Sequence, residues 1–387
     1  MWLLSFATLI NRSGMMVLPF LSVYLTTQLG FSLKDAGKVM FFFGFGSMIG
    51  ALVGGRLSDV FGHYRVQFYS LFFAGLAFMS LTYLEDSFIQ WCIMIAITSC
   101  IADSFRPAMY AAINDFSNEE TRTRSVSLIR LMINLGISFG PALGGFCAVH
   151  YGYNWLFFIE GITCILAAVF MFIYLRHTHR VPELMSSKEK KAQNIKSPWT
   201  DGYFLFFMLM HLLNILVFAQ FFNAFPVYLK EELGFGEDVI GIVLAINGLI
   251  IFFFEMPLVY IGERKWNRDY MIAGGAFMIG LSFLILIIAK MAMMPIVLIG
   301  ILLITFGELY NFPFVNSKVL ASTNDVNRGS YMGIYSMMWA IAMMLSPLGG
   351  MAIADDYGYN ALWVVCMCFC SVAAVGFLVQ DRIFGTR

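Results

Sequence analysis

Eight ionisable side chains interrupt long apolar runs in this chain: Arg12, Asp103, Arg106, Arg130, Glu160, His211, Glu255 and Glu308. If those runs cross a bilayer, a charge at the centre costs at least about 2.5 kcal/mol, so each such residue is expected to be retained for chemistry or pairing. Asp103, Arg106 and Tyr110 are spaced by three and four residues, which puts a carboxylate, a guanidinium and a phenol on one helical stripe. Glu308 has no cation within a helical turn of its own sequence, and Glu255 follows Phe252, Phe253 and Phe254. Such isolated carboxylates suit proton exchange, which makes Glu308, then Glu255, then Asp103 the proton-coupling candidates. Arg12, Asn11, Arg106, Tyr110, Arg130 and His211 are the candidates for lining a substrate cavity. Simpler roles compete with these: Asp103 and Arg106 as a fixed ion pair, His211 as cavity wall, and Glu160, near the start of its run, as a residue that snorkels to the boundary.

The elements that would position these groups follow from composition. Of 387 residues 60% are apolar and 12% charged, whereas a soluble domain carries about a quarter charged residues, so lipid is the expected solvent. Apolar runs between polar breaks fall near 2–27, 36–57, 66–84, 88–113, 124–149, 154–175, 202–229, 238–262, 269–289, 293–315, 328–353 and 360–380. The expected fold is an all-α integral membrane protein with twelve transmembrane helices in two six-helix pseudo-repeats. With both termini cytoplasmic, one side receives Arg56, Arg65, Arg122, Arg124, Arg176, Arg180, Lys188, Lys190, Lys191, Lys196, Arg264, Lys265, Arg268, Arg328, Arg382 and Arg387. The other receives only Lys34, Lys38, Lys230 and Lys290, and this asymmetry orients the chain in the inner (plasma) membrane. Met1 to Ile10 lacks a basic signal-peptide n-region and reads as the start of the first span.

The formal net charge is zero, so no nucleic-acid partner is expected; the implied partners are a small-molecule substrate and the bilayer, with the chain as a monomer. All seven cysteines fall inside apolar runs without CxxC pairing, so no metal site is expected. The GxxxxGK[ST] and HExxH patterns are absent, which argues against an enzyme and for an ion gradient, with no cofactor, as the energy source.

The longest polar stretch divides the chain into an N-terminal half (1–175), a cytoplasmic linker (176–200) and a C-terminal half (201–387). The halves share sequence. Val23-Tyr24-Leu25 with Leu29-Gly30-Phe31 recurs as Val227-Tyr228-Leu229 with Leu233-Gly234-Phe235, and Gly144-Gly145 with Gly152-Tyr153-Asn154 recurs as Gly349-Gly350 with Gly358-Tyr359-Asn360. Parallel repeats of this kind place a substrate site between halves near mid-membrane. Glu308 is the repeat counterpart of Asp103.

Two motifs carry a family resemblance. Gly55-Arg56-Leu57-Ser58-Asp59-Val60-Phe61-Gly62-His63-Tyr64-Arg65 resembles GxLxDxxGxxx, the loop signature of the major facilitator superfamily. It matches at Gly55, Leu57, Asp59 and Gly62, and of the usual basic positions after the second glycine only Arg65 is basic. The resemblance implies a turn whose carboxylate holds one conformational state closed. Gly136 to Gly145 matches GxxxGPxxGG, which looks like the signature of the drug/proton antiporters of that superfamily. Gly136, Gly140 and Gly144 would make a groove for a neighbouring helix, with Gly145 completing the pattern, and Pro141 would let the helix bend. The resemblance implies a proton-coupled, alternating-access transporter that expels amphipathic small molecules. The competing reading is a proton-coupled uptake symporter for a charged nutrient such as a small peptide, in which Arg12 or Arg130 would grip a carboxylate.

Overall fold

The computed structural model describes residues 2–116, 119–175, 198–322 and 328–384. The expected linker lies outside the described residues except for its last three, Pro198–Thr200, which form a single 3-10 turn. Among the described residues twelve helical stretches are long and apolar enough to cross a bilayer: Trp2–Thr27, Leu33–Ser58, His63–Tyr83, Phe88–Tyr110, Leu128–Tyr151, Asn154–Tyr174, Gly202–Glu231, Glu237–Gly262, Arg268–Met291, Met293–Ala321, Ser330–Tyr357 and Tyr359–Phe384. They are spans one to twelve below. Most start within a few residues of the apolar runs. Span ten reaches Ala321 rather than 315, because its helix continues past the apolar window through Lys318, which pairs with Asp269 at 2.6 Å.

Side-chain caps start several spans, satisfying N–H groups that have no partner within the helix. Ser32 Oγ accepts from the Asp35 N–H at 3.1 Å, Asp201 from the Phe204 N–H at 3.2 Å, and Asn267 from the Asp269 N–H at 2.8 Å. The two repeat matches land on matching backbone. Gly30 and Gly234 have φ of 67° and 68°, Gly152 and Gly358 have φ of 90° and 81°, and each pair ends a helix in the left-handed region that glycine tolerates best.

Five of the spans are not single helices, span three among them because it ends in a 3-10 turn over Leu81–Tyr83. Span one consists of Trp2–Ser13 and Val17–Thr27, and span four of Phe88–Asp103 and Phe105–Phe116, which runs past its end. Span seven consists of Gly202–Phe218, a 3-10 turn over Ala219–Phe222, and Ala224–Glu231; span nine ends in 3-10 geometry over Ile285–Met291. Backbone groups freed by such breaks must be satisfied inside the protein, since hydrocarbon offers no partner.

The chain forms two compact units. The first contains the described residues of 1–184 together with 226–252, and the second those of 185–225 together with 253–387. They are assembled differently from the sequence halves 1–175 and 201–387. Segment 226–252 joins the first unit because Gly241 and Gly248 let its helix lie directly on Pro141, Ala142 and Ser138 of span five. The core of the first unit gathers Leu4, Leu71, Phe105, Met109, Ala167 and Met171; that of the second gathers Phe204, Phe207, Ile272, Phe314, Val315 and Phe377. Large apolar side chains such as Leu52, Ile89, Trp155 and Val372 point outward, as a lipid solvent requires.

Candidate functional site

In the first unit the break of span four shapes the acidic-basic stripe. Asp103 ends one helix and Arg106 lies in the first turn of the next, and Arg106 Nη2 meets Asp103 Oδ1 at 3.1 Å. The Ser47 hydroxyl of span two donates to Asp103 Oδ2. Ser104, at the break itself, donates to the carbonyls of Gly50 at 3.0 Å and Cys100 at 2.8 Å. Spans two and four can approach this closely because Gly46, Gly50 and Gly54 face the carbonyls of Ala96, Cys100 and Ser104, where any side chain would collide.

Arg12, in the last turn of Trp2–Ser13, joins this cluster: Arg106, Asp103 and Tyr110 all lie within its electrostatic reach. Its Nη1 leans on Met15 Sδ at 3.6 Å, and its Nε is shut away from solvent without a hydrogen-bond partner. Two guanidiniums thus face one carboxylate, with the exposed Tyr110 phenol beside them. Asn11 turns away and donates to Cys164 Sγ of span six at 3.3 Å. Arg130 is exposed and sits two residues inside Leu128–Tyr151, at the end of span five rather than at its centre.

The glycines of span five receive the broken part of span one. A methyl at Gly136 would sit 2.5 Å from Arg12 Cβ, one at Gly140 2.5 Å from the Met15 carbonyl oxygen, and one at Gly144 3.0 Å from Met16 Cβ. Gly145 instead faces the Glu237 carbonyl at the start of span eight. Pro141 lies inside the continuous helix Glu119–Tyr151.

Glu160 departs from expectation. It is 7% exposed and does not snorkel: Oε2 accepts from the N–H groups of Met16 at 3.1 Å and Val17 at 2.7 Å, capping the second half of span one. Glu237 Oε1 accepts from the Tyr153 hydroxyl at 2.8 Å and Lys230 Nζ at 2.9 Å, joining the turn between spans five and six to the one between seven and eight. Burial, then the neighbouring Glu237, push the Tyr153 hydroxyl well above the usual phenol range, so it remains a donor.

The loop motif is largely helical. Gly55, Leu57 and Asp59 lie in Leu33–Phe61, and Gly62, at φ 83°, is the single residue separating that helix from the next, which carries Arg65. The Asp59 side chain lies outside the described residues.

In the second unit His211 is fully buried, with both ring nitrogens lacking a hydrogen-bond partner. Its ring lies parallel to Tyr335 at 5.3 Å and edge-on to Phe312 and Trp339 at 6.1 Å each; Phe218 packs on Phe312 at 4.8 Å. One turn along, Asn214 donates to Asn311 at 3.0 Å, and Asn311 donates to the Ile272 carbonyl at 2.7 Å. Glu308 lies one turn before Phe312 on span ten and is half-buried, as is Glu255 on span eight. The sequence did not single out Gly46, Gly50 and Gly54, the capping role of Glu160, or the Tyr153–Glu237–Lys230 link. Only the glycines had a readable signal, their four-residue spacing.

A family model described as Major Facilitator Superfamily matches residues 1–324 and 207–384. The chain is 24% identical to a Na(+), Li(+), K(+)/H(+) antiporter of Planococcus maritimus, covering 97% of this chain and 94% of that protein. It is also 24% identical to Multidrug resistance protein 1 of Bacillus subtilis (strain 168), over 65% of this chain and 64% of that protein. A solved structure of a POT family transporter in complex with 5-aminolevulinic acid superposes with a TM-score of 0.81 at 13% identity, covering 99% of this chain and 95% of that one. At that identity the likeness is one of fold.

Proposed function

Because the chain belongs to the Major Facilitator Superfamily, and is therefore a multi-pass membrane transporter rather than an enzyme, we propose that it is a proton-coupled antiporter that expels amphipathic small molecules by alternating access. The observation carrying this reading is the seating of Gly136, Gly140 and Gly144 on the broken segment of span one beside Arg12. The signature associated with drug/proton antiporters thereby touches the segment that holds the charge cluster. The relatives named as an antiporter and a multidrug resistance protein support the same direction.

The energy source is the ion gradient, with the bilayer as the chain's setting and a monomer as the working unit. The charged end of an amphipathic molecule suits the Arg12–Arg106–Asp103 cluster of the first unit. Glu308 is the leading coupling carboxylate, with Glu255 next. The alternative, uptake of a nutrient bearing a carboxylate, is favoured by one observation: two guanidiniums face one carboxylate in that cluster.

Purified protein in proteoliposomes under an imposed pH gradient, offered ethidium, fluorescein or a tripeptide, separates the readings. Dye moving opposite to protons is expected, with Glu308→Gln losing accumulation while dye affinity stays within about threefold, since Gln mimics the protonated side chain. Tripeptide moving with protons, and no dye transport, would replace efflux by uptake.

A further inference from the structure

Span one and its repeat counterpart, span seven, both break, and at equivalent places. Gly14–Met16 and Ala219–Phe221 are separated by 205 residues, within the 204 to 206 that relate the repeated sequence segments. Each break frees backbone groups that lipid cannot satisfy, so each needs partners from within the protein.

The partners differ in kind. In span seven they are neutral. The Gln220 amide donates to the Ser346 carbonyl at 2.8 Å, the Ser346 hydroxyl donates to the Leu216 carbonyl at 2.8 Å, and the Asn223 amide donates to the Ala219 carbonyl at 2.6 Å. In span one the partner is the Glu160 carboxyl, which takes two backbone N–H groups on one oxygen. The positions of span twelve matching Glu160 in the repeat are Val365 and Cys366, so the second unit has no carboxyl there.

We propose that Glu160 is a proton-operated clasp on the broken segment of span one: ionised, it pins the start of Val17–Thr27; protonated, it lets go, and the Arg12 end of Trp2–Ser13 becomes free to shift along span five. The inference rests on the proton-coupled reading above and names a coupling group for it. An ionised carboxylate accepts backbone N–H groups about twice as strongly as a neutral acceptor does. It also opposes the positive end of the helix dipole of Val17–Thr27, and protonation removes both effects at once.

The neighbours fix the sign of the coupling. Arg12, from the first half of span one, is the charged group that faces Glu160; Arg106, Asp103 and Tyr110 lie around Arg12 in turn. Cys164, on Glu160's own helix, is the other titratable group beside Arg12 and is taken by Asn11. Span three meets span six here through Gly75 and Met79, and span five meets the break through Gly140 and Gly144, so neither adds a charge at this contact. With Glu160 ionised, two carboxylates balance two guanidiniums. A proton taken from water by the Glu160 carboxylate leaves the cluster one positive charge in excess, and its return to water on the other side restores the balance. No substrate bond changes. A proton taken up therefore repels a bound cation and attracts a bound anion, which makes amphipathic cations the class exchanged against protons at this cluster.

Hydrogen exchange of the full chain in lipid nanodiscs, measured across pH and corrected for the intrinsic rate, reads the clasp without any substrate. Protection of Met16 and Val17 should fall about tenfold on acidification, while the 219–223 segment holds its protection. Glu160→Gln should make the first segment as indifferent to pH as the second, and Glu160→Asp should restore a pH dependence. Wild-type protection that ignores pH, or a Glu160→Gln protein that keeps the wild-type change, overturns the proposal; if the Gln variant fails to fold, the comparison of the two breaks in the wild type decides alone. Proton-driven ethidium transport is the second arm. If the wild type shows none, the antiporter reading fails whatever the clasp does. If it does and Glu160→Gln leaves the pH profile of transport unchanged, the clasp is not the coupling group.

Discussion

Asp103 is approached on both oxygens, by Ser47 on one side and by Arg106 on the other, while Arg12 lies in the same field. Arg106 is 52% exposed on its side chain, so solvent and salt screen the pair, and losing the charge at Asp103 should cost about 1 kcal/mol or less in stability. The consequence belongs to binding instead. Asp103→Asn keeps an oxygen for Ser47 but leaves two guanidiniums with Glu160 as their one counter-charge, so fluorescein should bind more tightly and ethidium more weakly, by roughly three- to tenfold each. Fluorescence polarisation of the purified variant checks this, and unchanged affinities for both dyes would remove the cluster from the substrate path. The stripe of Asp103, Arg106 and Tyr110 was legible because residues three and four apart share a helix face. The break at Ser104 was not, since its hydroxyl bonds to carbonyls that any sequence supplies. Glu160 was illegible for the same reason: its partners are two backbone N–H groups more than a hundred residues away.

Helix packing depends on which glycine faces the neighbour, and the loop motif offers a sharp contrast. A methyl on Gly54 would meet the backbone of Ser104, with its Cα at 2.6 Å, whereas the nearest atom to a methyl on Gly55 is Pro107 Cβ at 3.9 Å. Spans two and four are held rigidly here by the Ser104 hydroxyl bonds, so the collision at Gly54 has little room to relax. Gly54→Ala should therefore destabilise by about 1–3 kcal/mol, as overpacking does. Gly55→Ala, although it alters the motif itself, should stay within about 0.5 kcal/mol. Thermal unfolding in detergent of the two variants side by side would show it, and equal losses would contradict the packing described. The span-five glycines were readable from the sequence because they fitted a known pattern. Gly46, Gly50 and Gly54 have the same four-residue spacing but matched no pattern, and their partners, the carbonyls of span four, have no sequence signature.

Across the whole chain, the twelve spans and the repeat were legible because lipid demands long apolar helices and because duplicated halves reuse the same turns, as the paired φ values of Gly30 with Gly234 and Gly152 with Gly358 bear out. The breaks inside spans one, four and seven were hidden: Glu160 and Ser346 reach those of spans one and seven from far along the chain, and Ser104 bonds within that of span four, so the apolar run continues through each. Orientation is a separate matter, set by charge during insertion rather than by packing. Sixteen Lys and Arg residues fall to one side in the sequence reading and four to the other. By that rule both termini, the 176–200 linker and the turn after span ten are predicted to be cytoplasmic, and the turn between spans three and four to lie outside. Ser322 and Glu85 are exposed residues of those two turns. In a background with the seven native cysteines replaced, Glu85→Cys should react with a membrane-impermeant maleimide in intact cells. Ser322→Cys should react only after the membrane is opened or in inverted vesicles. The reverse pattern would invert the protein in the membrane and, with it, the direction assigned to every proton and substrate step.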